Sequence, residues 1–362
     1  MQTEKDTLII AAAGSGKTRH LVEEALRLSQ ESILVTTYTD ANEAEIRKQF
    51  VAKCGGVPGN VKIQTWFSFL IQHGVKPFQG GTIEADIKGL LLVNEMSARG
   101  VAEQNAERYY LSPYRKVYSD KLWKLVFRCN GRSDGRVIDR LSRVYSHIFV
   151  DEVQDLAGYD LDILRLLFGS QARVLLVGDP RQVVYLTHHE RRLGKYSWGK
   201  IRDFVTDECK GFGIVIDEER FCFSYRSHAL ICQLADRLYP GLKRTVSRQD
   251  KVTSHDGVFV VAKKNAEHYL RQFRPTQLRW SRKTPVCSDL PAHNFGEAKG
   301  LTFDRVFVYP TRDMVEWIGN QQGNLADGSR AKFYVALTRA RHSVAICCDF
   351  HAAIPDGVSR WP

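Results

Sequence analysis

At 362 residues, with 43% hydrophobic and 26% charged side chains, the chain has the make-up of a soluble globular protein large enough for two domains with sizeable cores. No apolar run approaches the roughly 18 residues of a membrane span. The eight cysteines contain no CxxC pair and no ligand-like spacing with histidine, and are expected to be buried or free thiols in a reducing cytosol. The net charge of +11 favours a polyanionic partner, most simply nucleic acid.

In chain order, the apolar run Leu8–Ile10 feeds the stretch AAAGSGKT, Ala11 to Thr18. A strand entering a glycine-bearing turn that ends in Lys-Thr is a phosphate cradle. Backbone N–H groups around Ala13, Gly14, Ser15 and Gly16 wrap the β-phosphate, and Lys17 reaches the β- and γ-phosphates. The Thr18 hydroxyl ligates Mg²⁺, and the next helix turns its positive end to the anion. A nucleoside triphosphate is therefore the expected ligand, although the strict pattern has Gly where this chain has Ala11.

Helix-like stretches at Thr18–Leu28 and Asp40–Phe50 alternate with apolar runs at Ile33–Thr37, Val61–Ile63, Ile148–Val150 and Val174–Val177. These runs lack strict alternation, as parallel strands covered on both faces do. A mainly helical insert is expected over roughly 76–142. A second series, Glu219–Phe223, Gly257–Ala262, Pro285–Cys287, Val306–Tyr309 and Ser343–Cys348, has no phosphate loop of its own. The expected fold class is α/β, with two lobes built on parallel sheets, one over 1–210 and one over 211–362.

HIFVDEVQDL places Asp151 and Glu152 at the end of an apolar strand. Asp151 is suited to hold Mg²⁺ on the triphosphate and Glu152 to deprotonate the attacking water; the plain alternative is a solvated pair at a helix start. VLLVGDPRQVVY, 174–185, is again strand then turn, with Gln182 placed to sense the γ-phosphate and Tyr185 to touch a base. Two basic stretches suit a phosphate track or, equally, a solvated face: Arg115 to Arg143, and RQFRPTQLRWSRK at 271–283 with its single Trp.

In order, AAAGSGKT, VTTYTDANEAEI, IQTWFSF, VDEVQDL, VGDPRQVVY, FSYRS, EAKGLTFDRV and YVALTRAR resemble the motif series of UvrD/Rep-type superfamily 1 DNA helicases, from residue 8 to about 346. The resemblance implies two RecA-like lobes, ATP and Mg²⁺ as cofactors, and single-stranded or tailed duplex DNA as partner. It implies phosphate and metal binding by Lys17 and Thr18, a metal ligand in Asp151, a catalytic base in Glu152 and a γ-phosphate contact in Gln182. Tyr225 would stack near the adenine, Arg226 would reach the γ-phosphate from the second lobe, and Arg339 would be the arginine finger, a role that contributes on the order of 10³–10⁵ in rate. Arg341, two residues on, has a structural role as its alternative. Tyr38, Trp66 and Phe67 fall in the motifs that present rings to single-stranded DNA, though at least one of them is expected in the core.

The chain departs from that family in places. Met1–Thr7 does not match the glutamine segment that reads adenine, so the base preference is open. Thr302 and Gly296 replace the usual Glu and His of the KGLEF motif. LTHHE at 186–190 has Thr187 where a ring is usual, and the stretch from Arg226 to Lys299 leaves no room for the large second-lobe insertion. The expected function is an ATP-dependent, single-strand-DNA-stimulated helicase or translocase moving 3′→5′. The alternative is a nucleic-acid-activated ATPase switch regulating a partner such as a nuclease in phage defence or DNA repair. A P-loop kinase is disfavoured by Arg226, Arg339 and VDEVQD.

Overall fold

A computed structural model describes residues 5–93, 95–185, 192–320, 323, 325–349 and 354–362. The chain divides into two compact units. Unit 1 comprises Met1–Ile9, Thr18–Gly178 and Leu186–Asp217; unit 2 comprises Ile10–Lys17, Asp179–Tyr185 and Glu218–Pro362. The phosphate loop and the GDPRQ turn thus group with the C-terminal part of the chain.

Unit 1 begins with β1 (Thr7–Ile10), α1 (Lys17–Arg27), β2 (Ile33–Thr37), α2 (Asp40–Cys54), β3 (Val61–Thr65) and the single turn α3 (Trp66–Phe69). It continues with β4 (Gly89–Leu91), α4 (Ala106–Tyr110), β5 (Lys116–Tyr118), α5 (Leu122–Arg132) and α6 (Arg136–Val144). β6 (His147–Asp151), α7 (Tyr159–Phe168), β7 (Arg173–Gly178), α8 (Ile201–Glu208) and β8 (Val215–Asp217) complete it. Its main sheet has the order β3-β2-β6-β7-β1-β8, and the β1/β8, β2/β3, β2/β6 and β6/β7 pairings are parallel. Every residue of β2 and β6 is buried, as strands sandwiched by helices must be. α2 starts where the Thr39 hydroxyl accepts the Asn42 N–H, carries Asp40 and Glu43 in its first turn, and stops at Gly55 with φ +82°.

The insert is helical from Leu122 on, in α5 and α6, while the part before it holds the two-stranded parallel pair β4-β5, the short α4, 3-10 turns and irregular chain. Of the expected strand Glu219–Phe223 only Phe223 lies in a strand; just before it, Val215–Asp217 forms a strand that extends the first sheet beside β1.

Unit 2 contains β9 (Phe223–Ser224), α9 (Ala229–Asp236), β10 (Val246–Ser247), β11 (Gly257–Val261), α10 (Ala266–Phe273) and β12 (Thr276–Arg279). Then follow β13 (Ala292–Asn294), β14 (Phe303–Val308), α11 (Arg312–Gly319), α12 (Asp327–Thr338), β15 (Ala340–Cys347) and β16 (Val358–Arg360). The six-stranded sheet β13-β12-β14-β15-β11-β16 is parallel throughout. On one face Val258, Leu278, Val306, Val344 and Ile346 pack with Ile231, Leu234, Trp317, Phe333 and Leu337. On the other, Phe307 and Ala345 meet Tyr269 and Leu270. Pro285–Cys287 is not a strand; the sheet takes Thr276–Arg279 instead, where Gln277 and Leu278 are fully buried between Thr276 and Arg279.

The chain is therefore α/β, with two six-stranded parallel sheets. Among the described residues no helix is long and apolar enough to cross a membrane.

Candidate active site

The phosphate loop is built by the end of β1. Leu8–Ala13 are buried, and Gly14 and Gly16 take φ of +76° and +86°, which a side chain would strain. Ala11 has no positive φ, so it does not need the glycine of the strict pattern. A Cβ on Gly14 would stand 2.7 Å from Arg226 Cβ and 2.8 Å from Ser224 Oγ. Glycine thus lets Tyr225 donate its N–H to the Gly14 carbonyl at 3.0 Å. Among the described residues the buried Ser15 hydroxyl has no hydrogen-bond partner, and the first turn of α1 has no acidic residue to occupy its N–H groups.

Within unit 1, Thr18 Oγ1 donates to Asp151 Oδ2 at 2.9 Å, while Asp151 Oδ1 accepts the Glu152 N–H at 2.9 Å. Glu152 takes φ +56°, a left-handed conformation that costs a non-glycine residue about 1–3 kcal/mol. That turn carries its carboxylate off the strand axis, where Gln154 Nε2 donates to Oε2 at 2.5 Å. Asp151 and Glu152 are both more than nine-tenths buried. β6 and the turn after it thus set two carboxylates on adjacent residues, the first of them bonded to the Thr18 hydroxyl of α1.

Within unit 2, the GDPRQ turn is the centre of a buried polar network. Asp179, wholly buried, accepts from Arg181 Nε at 2.7 Å, from Gln182 Nε2 at 2.8 Å and from the Tyr334 hydroxyl at 3.3 Å. Arg181 also donates to the Ala11 carbonyl of the phosphate loop at 3.2 Å, lies 3.6 Å from Asp236 and stands over the Tyr334 ring at 5.2 Å. Burial opposes its charge, but Asp179, Tyr334 and Asp236 together hold its guanidinium above its ordinary pKa. Burial drives the Tyr334 hydroxyl well above its usual value, so it is a neutral donor. Gln182 Oε1 accepts Arg339 Nη2 at 3.1 Å. Arg226 Nη1 donates to the Thr338 carbonyl beside Arg339 at 3.3 Å. Gln182, Arg226 and Arg339 are thus linked through one end of α12, and Arg181 ties them to the loop backbone. Sequence reasoning singled out Gln182 and passed over Asp179, Arg181 and Tyr334. Their signal was an Arg inside an otherwise apolar strand–turn segment, where an unpaired charge is not tolerated.

Tyr225 is 56% exposed, with Phe223 edge-on at 5.1 Å and Arg248 Nη1 donating to its hydroxyl at 3.3 Å. Arg341 makes a surface ion pair with Asp304 at 2.9 Å, the structural alternative for that residue.

The rings assigned to nucleic acid separate. Trp66 is a correction: it is 1% exposed and its Nε1 donates to Asp160 Oδ1 at 2.6 Å, so it belongs to the core of unit 1 and offers no face to a base. Tyr38 and Phe67 are half-buried and pack on each other at 5.1 Å. Tyr185 is 40% exposed, with Lys299 Nζ 6.0 Å from its centroid. The LTHHE segment with Thr187 lies outside the described residues.

The AAA domain family matches residues 1–188, and the viral superfamily 1 RNA helicase core domain matches residues 121–348. No curated protein matches. Among solved structures, arterivirus nonstructural protein 10 (helicase) aligns with 96% of this chain and 59% of its own at 17% identity and a TM-score of 0.46. Its complex with DNA aligns over 96% and 61% at 16% identity and 0.47, and the PRRSV helicase over 95% and 52% at 16% and 0.44. The chain thus spans between 52% and 61% of the length of these viral proteins. Each family match covers more than half of the chain, and together they take in the phosphate loop, Asp151, Glu152, Gln182 and Arg339. The chain belongs to the superfamily 1 helicases, a family of NTP-hydrolysing nucleic-acid helicase domains.

Proposed function

We propose that this chain is an ATP-dependent helicase or translocase of the UvrD/Rep type, in which single-stranded DNA stimulates hydrolysis and movement runs 3′→5′. The observation that carries the reading is the Thr18–Asp151 hydrogen bond with Glu152 fixed beside it by Gln154.

The donor set fits Mg²⁺ with a triphosphate. A hydroxyl and a carboxylate oxygen, both hard ligands, stand 2.9 Å apart, and the orphaned Ser15 hydroxyl lies in the adjoining loop. Bound there, Mg²⁺ would neutralise charge on the β- and γ-phosphate oxygens. The loop N–H groups and Lys17 bind the phosphates. Asp151 fixes the orientation of Thr18, and Glu152 takes a proton from the attacking water at its carboxylate. Gln182, Arg226 and Arg339 supply donors for the charge that spreads over the transferred phosphoryl group. The exposed Tyr225 ring, anchored through its backbone to Gly14, suits stacking of the adenine. The net charge of +11 supports a nucleic-acid partner, and eight free cysteines accord with a cytoplasmic setting.

Strand displacement on 3′- and 5′-tailed duplexes tests the reading. Displacement of the 3′-tailed DNA substrate with ATP, and little of the 5′-tailed one, is the expected result. Preference for the 5′ tail overturns the polarity. ATP hydrolysis stimulated by DNA with neither duplex displaced points instead to the switch that regulates a partner.

A further inference from the structure

The two basic stretches of the sequence have different fates. In the insert, the Glu103 carboxylate collects Lys124 at 2.9 Å and Arg128 at 2.7 Å. Burial would raise its pKa, but hydrogen bonds from Arg128, Tyr110 and Lys124 prevail and pull it down to about 2. Lys121 and Arg143 pair with Asp120 and Asp139, and Arg132 donates to the Gly81 carbonyl. Much of this charge is consumed within the insert itself.

The other stretch is arranged differently. Arg271 pairs with Glu267, and Arg279 donates to Asn294 Oδ1 and the Thr284 carbonyl. Trp280 follows directly at the carboxyl end of β12, the edge at which parallel α/β sheets bind ligands. It is 37% exposed, and the fully buried Phe295 stands edge-on to it with ring centres 6.4 Å apart. Lys332, projecting from α12, holds its ammonium 4.0 Å from the indole centroid. Among the described residues no carboxylate pairs with Lys332 or Lys283, while Arg282, its side chain 82% exposed, makes a surface pair with Glu297 at 3.7 Å. Burial lowers the pKa of Lys332, the mark of a cation partly stripped of water without a counter-charge. A bound anion would relieve it.

We infer that Trp280 and Lys332 form a contact for single-stranded nucleic acid on unit 2, the exposed indole taking a base and Lys332, with Arg282 and Lys283, the neighbouring phosphates. The inference rests on the proposed nucleic-acid-driven activity and adds a contact that the motif series does not contain. Lys332 lies on α12 seven residues before Arg339, two helical turns or about 10 Å along the axis. Nucleic acid seated at Trp280 therefore bears on the same rigid helix whose end carries Arg339 and its bond to Gln182.

The test is fluorescence anisotropy with labelled dT and rU 12-mers and the full chain, at salt concentrations from 50 to 200 mM. Stacking on an aromatic ring is worth about 1–3 kcal/mol per base, so Trp280→Ala should weaken binding roughly 5- to 150-fold and Trp280→Phe should recover most of it. Lys332→Gln should lower the slope of log K against log salt by about 0.7, the loss of one phosphate contact on a single strand. Thermal melting of each variant controls for folding, and the salt slope of Lys332→Gln reads the contact independently of the Trp. Wild-type binding matched by both Trp280→Ala and Lys332→Gln would overturn this inference alone. Failure of the wild-type chain to bind either oligonucleotide would overturn it together with the activity it rests on.

Discussion

Glu152→Gln is expected to lower NTP turnover by roughly 10²–10⁴-fold, the range that a positioned general base contributes, while leaving nucleotide affinity near that of the wild type. Gln preserves the volume of the side chain and can still accept from Gln154, so the turn after β6 has no reason to move. What it lacks is the carboxylate proposed to receive the proton of the water. Single-turnover hydrolysis set against titration with a fluorescent nucleotide separates the two effects. Turnover equal to wild type would place the base elsewhere.

Arg181→Met should be the most damaging substitution outside the residues that touch nucleotide. Arg181 is 3% exposed, and its guanidinium lies between the carboxylates of Asp179 and Asp236. Burial already raises the pKa of Asp236, with hydrogen bonds from Thr245 and the charge of Arg181 opposing that rise. Removing one partner of a buried pair leaves the other uncompensated, at a cost of about 3–5 kcal/mol. At about 2–4 °C per kcal/mol for a body of this size, the melting midpoint should fall by about 6–20 °C. Nucleotide binding should weaken as well, because the Ala11 carbonyl and the Asp179–Gln182 turn lose their common tie. Arg181→Lys should recover part of the stability but little of the nucleotide affinity, since an ammonium cannot reproduce the fork that spans Asp179 and Ala11. Melting and affinity both unchanged in Arg181→Met would remove the network from the account.

Much of this site was legible because its residues are adjacent in sequence and its backbone demands are severe. GSGKT behind an apolar run specifies the loop locally, and the expected strands at Ile33–Thr37 and Val174–Val177 lie within the observed β2 and β7. The misreadings have a common cause in tertiary override of local pattern. Thr276–Arg279 looks like part of a basic surface run, yet its two central residues are buried in the sheet, where Gln277 Nε2 donates to the Cys287 carbonyl at 2.7 Å. Pro285–Cys287 looked apolar enough to be that strand, but it supplies a hydrogen-bonding partner at the strand's side instead. Trp66 carries an indole N–H that needs an acceptor when buried, and its acceptor, Asp160, lies 94 residues away in sequence. The Asp179–Arg181–Tyr334 network likewise spans 155 residues between Asp179 and Tyr334, a separation at which no spacing rule operates.

The proposed activity is NTP hydrolysis driven by nucleic acid, with Lys17 as a phosphate-binding residue. Steady-state ATP turnover, measured with and without a single-stranded oligonucleotide and repeated for Lys17→Ala, tests it most directly. The account predicts turnover that rises on adding the strand, a rise that shrinks as salt increases because phosphate contacts release counterions, and a Lys17→Ala chain that stays flat under both conditions. Turnover indifferent to the strand, or a Lys17→Ala chain as active as the wild type, would contradict it.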